Sequence, residues 1–101
     1  MATNNRQLLH TQFLEICPNV YYQPPENVKL VYPCIIYELE TRSAIHAEDE
    51  RYLNYYKYTA TVIDRDQDSL VSEEVHKLKW CTHKRRFVTD NLYHDVFGIN
   101  L

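Results

Sequence analysis

Asp64, Asp66 and Asp68 stand at alternate positions of one short segment, the spacing at which a calcium loop offers its first oxygen ligands. Such a loop then needs glycine at its sixth position and glutamate at its twelfth, where this chain has Ser69 and Val75. Glu73 and Glu74 fall at the tenth and eleventh positions and would point elsewhere, so the segment reads as an acidic turn that ends in a helix cap. Cys81 and His83, two apart on a strand, would share one face as half of a metal site, with His76 and His94 as candidates to complete it. Structural zinc sites pair their ligands twice at short spacing, and no second pair exists here. A cysteine–histidine nucleophile drawn from the same residues lacks an oxyanion hole or an activating neighbour. We therefore expect no catalytic residue, no bound metal and no cofactor.

Lys84-Arg85-Arg86 is the only basic run. On a regular strand Lys84 and Arg86 share one face and Arg85 takes the other, so the three do not form one patch. Tyr52, Tyr55, Tyr56 and Tyr58 could stack bases, but a net charge of −3 argues against a nucleic-acid binder that relies on bulk positive charge. Sheet packing and subunit contact are the simpler use of these rings. The charge is uneven: residues 1–50 carry a net −4 and residues 51–101 a net +1, an asymmetry that could let copies meet head to tail, although a solvated surface is its commoner explanation.

The chain has 101 residues, nine of them tyrosine and only one, Gly98, glycine. One glycine cannot build a phosphate-cradling loop, a dinucleotide fingerprint or a nucleophile elbow. Cys17, Cys34 and Cys81 are odd in number and widely separated, which suits reduced thiols in a cytoplasm better than a disulfide scaffold. No apolar run is long enough for a membrane span or a signal peptide, and no membrane partner is expected.

The elements that would position these residues form a single α+β domain over 1–101. A helix capped by Thr3 or Asn4 runs to about Ile16, with Leu9, Phe13 and Ile16 as its apolar stripe. Pro24-Pro25 breaks the chain after the brief Val20-Tyr21-Tyr22. Cys34–Leu39 reads as a strand, Glu40–Glu50 as an exposed connection, and Arg51–Asp64 as the longest strand, reaching out as a hairpin arm. Asp68 or Ser69 caps a second helix to about Lys79, with Leu70, Val71, Val75 and Leu78 inward. Strands near Cys81–Val88 and Tyr93–Ile99 flank a turn at 89–92. The product is a small antiparallel or mixed sheet of about four strands with two helices on one face.

Three segments together resemble a known family: Tyr32-Pro33-Cys34-Ile35-Ile36-Tyr37; Ala47-Glu48-Asp49 with Tyr52, leading into Tyr58–Ser69; and the hairpin Phe87–Phe97. They are similar to the small tail-completion, or tail-terminator, proteins of long-tailed bacteriophages, over roughly residues 30–101. The family often has Asp-Pro-Asp-Ser where this chain has Asp66-Gln67-Asp68-Ser69, and the ending Gly98-Ile99-Asn100-Leu101 is atypical. The resemblance implies a non-enzymatic virion protein. It would form a homo-oligomeric ring, a hexamer in the family, on the finished tail tube. There it would stop tube growth and face the head connector or stopper protein, and DNA would pass through without sequence-specific binding. Its place would be the head–tail interface of the virion, and the host cytoplasm during assembly. We expect the subunit or partner surface at Glu48, Asp49, Arg51, Tyr52, Tyr55, Tyr56, Tyr58, Lys84 and Arg86, with the Glu40–Glu50 loop beside it. A head-completion ring protein and a small nucleic-acid-binding module are the competing readings.

Overall fold

The structure, a computed structural model, describes residues 5–25, 27–46 and 52–100, and the side chains among them apart from those at 5, 41–46 and 52–55. The elements follow the order α1 (Asn5–Ile16), β1 (Val20–Tyr22), β2 (Cys34–His46), β3 (Tyr52–Asp64), α2 (Leu70–His76), β4 (Cys81–Thr89) and β5 (Leu92–Asn100). The five strands make one mixed sheet in the order β1-β2-β3-β5-β4. Only β1 and β2 are parallel; the other neighbours are antiparallel.

This is the α+β fold expected, with one strand more. Val20–Tyr22 pairs with β2 from Ile35 to Tyr37 and forms the sheet's outer edge. Three residues beside two prolines give too short a pattern to announce a strand, and the ladder of β2 supplies what local sequence does not.

Both helices lie on one face. Leu9, Phe13 and Cys17 recur every four residues and are buried, while Leu8 and Leu14 face outward. Beneath them lie Ile35 and Tyr37 of β2, Tyr58, Ala60 and Val62 of β3, and Phe97 and Ile99 of β5, each set two residues apart. Fully burying each of the larger aliphatic or aromatic side chains contributes about 1.5–3 kcal/mol. The Tyr37 hydroxyl lies 2.6 Å from His10 Nδ1 and accepts from Arg6 at 3.3 Å, which ties α1 to the sheet through a polar contact.

The second helix is shorter than its sequence pattern and stops at His76. Ser69 is its cap, and its hydroxyl accepts the Ser72 N–H. Val75 is buried as expected, but Leu70, the first residue of the helix after its Ser69 cap, is 74% exposed. The turn from β4 to β5 places Asp90 and Asn91 at φ 53° and 62°, the left-handed pair of a two-residue hairpin.

Residues 40–46 correct the expectation of an exposed connection. β2 continues through them, paired with β3 as far as His46 opposite Tyr52, after a bulge between Leu39 and Thr41. β5 covers β3 only from Asp64 to Lys57. The pair formed by 42–46 and 52–56 therefore extends past the sheet as a two-stranded arm, and the longest dimension of the molecule is 52 Å against 28 and 25 Å.

Candidate assembly surface and the Asp95 cleft

The aspartates that mimic a calcium loop are occupied locally. Asp64 accepts the Asp66 N–H at 3.1 Å through Oδ1 and the Ser69 hydroxyl at 2.7 Å through Oδ2. Asp66 accepts the Asp68 N–H at 2.9 Å. These are Asx turns that feed the helix cap, not ligands turned toward a common centre.

Asp95 is the charged centre that sequence reasoning passed over. It lies on β5 two residues before the buried Phe97, hence on the helix face, and is 6% exposed. Ser72 Oγ of α2 donates to its Oδ2 at 2.7 Å, and Arg86 Nε of β4 lies 3.1 Å from its Oδ1. His83 Nε2 stands 3.3 Å from the same oxygen. Arg86 also donates to the Gln67 carbonyl and lies over the Tyr93 ring at 5.2 Å. One carboxylate thus joins α2, β4, β5 and, through Arg86, the loop before α2. The alternation His94-Asp95-Val96-Phe97 was the available signal, since a strand that buries Phe97 must turn Asp95 the same way.

An open cleft of about 270 Å³ lies above this cluster, lined by Ser69, Ser72, His76, His83, Arg86 and Asp95 among others. The His76 and His83 rings are 6.2 Å apart, and both contact Phe97. Ser72 donates to the carboxylate instead of to an imidazole, so this cleft does not pair its serine hydroxyl with a histidine base as nucleophilic catalysis requires. The arrangement acts as a polar clamp between elements.

Cys81 and His83 do share the helix face, opposite Ile99 and Phe97. His94 lies on the other face, stacked on Phe87 at 4.6 Å, and cannot complete a set with them. Among the described residues no group of three His, Cys, Asp or Glu side chains is placed to hold a metal ion. Cys17 and Cys34 are buried and Cys81 partly so, all as free thiols. Burial, with smaller contributions from Cys17 and Asp64, pushes the Cys34 thiol up to about 12, and burial pushes Cys81 up to about 11. Neither is a ready nucleophile.

The basic run on β4 is arranged differently from a regular strand. A bulge lies between His83 and Arg85, so Lys84 and Arg85 both face away from the helices while Arg86 turns toward Asp95. The extra residue shifts the alternation by one step, which residue types alone do not announce. Lys84 stretches across β5 to Glu40 Oε2 of β2 at 3.1 Å, and Thr59 of β3 donates to the same oxygen at 2.9 Å. Its stem crosses at Gly98, where an added Cβ would lie 2.7 Å from Lys84 Cε. The only glycine of the chain is the gap through which this cation passes.

Of the residues expected at a subunit surface, Tyr52 and Tyr55 lie on the arm portion of β3, and Tyr56 is half-buried against the core. Tyr58 is 4% exposed with its ring 6.2 Å from that of Tyr37, so it belongs to the core and not to a surface. Lys84 and Arg86 are placed on opposite faces and engaged within the chain. Glu48, Asp49 and Arg51 lie outside the described residues, as does the remainder of the Glu40–Glu50 loop beyond His46.

β4 is an exposed outer strand. Every residue from Thr82 to Thr89 of β4 is exposed, including Phe87 at 38% and Val88 at 57%. Among the described residues no helix is long and apolar enough to cross a membrane. No protein-family model matches the chain, and a search of curated proteins returned no match.

Proposed function

We propose that this chain is a structural protein of a long-tailed bacteriophage that forms a ring at the head-proximal end of the tail tube. There it ends tube growth and offers a surface to the head connector. The observation that carries the reading is the two-stranded arm of β2 and β3, which extends past the sheet where β5 stops at Lys57 opposite Asn100. A ring needs one surface of each subunit to meet a different surface of the next, and an arm that leaves its own sheet is suited to reach a neighbour. The three segments that resemble tail-terminator proteins support it: apart from Ala47-Glu48-Asp49, outside the described residues, they fall at the start of β2, in β3 with its following turn, and in the β4–β5 hairpin. The clamp at Asp95 has no nucleophile–base pair and agrees with a structural role.

Electron microscopy of tails assembled with and without the protein tests this reading. Tubes of uniform length bearing a terminal ring are expected with it, and overlong open tubes without it. A protein that neither caps tubes nor limits their length removes the proposal. Capture by purified heads in place of tails moves it to the head side of the neck.

A further inference from the structure

Two unpaired backbone edges lie on opposite sides of the same sheet. β4 ends the strand order, so its outer side carries no strand among the described residues. On the other side, β1 covers β2 only from Ile35 to Tyr37, and Gln23 extends the cover through the Tyr37 carbonyl and the Leu39 N–H. From Glu40 to His46 the outer edge of β2 has no strand beside it among the described residues. Such edges pair readily with another chain unless something prevents it.

The two edges differ in charge. β4 carries Lys84, Arg85 and Arg86 and no acidic residue. Within β2, Glu38 and Glu40 stand against Arg42. Pairing of β4 with β4 about a two-fold axis would set the Arg85-Arg86 step against its own copy, and like charges across a ladder are destabilising. Pairing β4 with β2 brings Arg85 toward the acidic Glu38 of the neighbour.

Strand direction points the same way. β2, β3, β5 and β4 alternate in sense, so β4 runs opposite to β2. A second copy in the same orientation therefore lays its β4 antiparallel to β2, with the helices of both copies on one side. Arg85, opposite Val96, and Glu38, next to the buried Tyr37, both project from the helix-free face. Through Val96 and Thr61, Arg85 is level with Ile36 of its own β2, so reaching the free part of a neighbour's β2 shifts the copies along the strands. Closed sheets require such a stagger.

We propose that β4 of one copy pairs antiparallel with the outer edge of β2 of the next, beyond Leu39, so that one sheet runs from subunit to subunit with Arg85 facing the Glu38 side of its neighbour. This contact rests on the ring reading above and supplies its joint. Glu38 is the carboxylate to alter, because Glu40 is engaged by Lys84 and Thr59 within its own chain.

The test is self-association of the full chain, followed by sedimentation up to millimolar concentration, with circular dichroism to confirm that each exposed-site variant is folded. Arg85→Glu and Glu38→Arg should each weaken association at least tenfold. The double variant should recover it. So should an equimolar mixture of the two single variants, in which every altered β4 meets an altered β2. Recovery by neither overturns the proposal, as does a chain that stays monomeric throughout. Association strengthened by Arg85→Glu and unchanged by Glu38→Arg also overturns it, since that is the signature of a β4–β4 contact. Microscopy of tail tubes separates the two readings: capped tubes without rescue keep the ring and remove this joint, while rescue without capping keeps the joint and removes the tail assignment.

Discussion

Lys84 Nζ lies 3.1 Å from Glu40 Oε2, although 44 residues separate them in sequence and β3 and β5 lie between their strands. The hydrogen bond from Lys84, followed by that from Thr59, holds the Glu40 carboxyl below its ordinary 4.5. A depressed carboxyl pKa stabilises the fold above the unfolded value, and that contribution is lost as pH falls through the folded value. In an NMR titration Glu40 should move back toward 4.5 in Lys84→Ala, and the stabilities of variant and parent should converge as pH falls through the lowered value that Glu40 has in the parent fold.

Gly98→Ala should give the same Glu40 shift without touching either partner. The obstacle that the new methyl meets is the flexible end of Lys84, which can swing aside, so the fold should survive. Alanine also lowers the entropy of the unfolded chain, worth about 0.5–1 kcal/mol in favour of the variant. A denaturant midpoint equal to or slightly above the parent's is expected; a large loss would mean that backbone, not Lys84, fills the gap.

Asp95→Ala should be among the most damaging single changes. It strips the partner from Ser72 and Arg86 at a carboxylate whose side chain is only 8% exposed. Arg86 is itself 40% exposed, so water recovers part of the loss, and about 2–4 kcal/mol is expected in urea unfolding. Ser72→Ala removes one hydrogen bond and should cost about 1 kcal/mol.

Tyr37→Phe keeps the ring among Phe13, Tyr22 and Tyr58 but removes the hydroxyl that meets His10 and Arg6. About 1 kcal/mol should be lost, with faster amide exchange concentrated in α1. Burial pushes the parent phenol up from 10.0, an effect that the Arg6 hydrogen bond only partly offsets. Its ionisation should therefore trail that of exposed tyrosines in an alkaline absorbance titration.

The raised thiols favour the fold below pH 9 and lose that contribution as pH climbs toward 12 for Cys34 and 11 for Cys81. At pH 8 a thiol-specific reagent should label Cys34 only on unfolding, and Cys81 slowly. Labelling of Cys34 in the native state at the rate of a free thiol would contradict its burial.

Helices, the long strand and the last turn were legible because each is written locally. Leu9 and Phe13 repeat at helical spacing, 56–63 alternate, and Asp90-Asn91 accepts the left-handed turn. The features that decide the surface were not local. The bulge at Lys84 depends on how β4 meets β5, and the strand through 40–46 is polar yet held by its partner β3. Tyr58 shares its alternation with Tyr56, and only the overlying α1 and Tyr37 decide that it belongs inside. Asp95 lay in view, but without Ser72, His83 and Arg86 in space it was one more hairpin acid.

The extra residue at Lys84 also divides the exposed strand into a three-residue piece, Cys81 to His83, and a five-residue piece, Arg85 to Thr89. Stacking of identical chains into a cross-β fibril calls for about six or seven unbroken residues of high β-propensity and low charge. Neither piece is long enough, and both arginines sit in the more apolar one. Phe87 and Val88 can thus stand in open water on crowded, newly made chains without seeding endless copies of themselves.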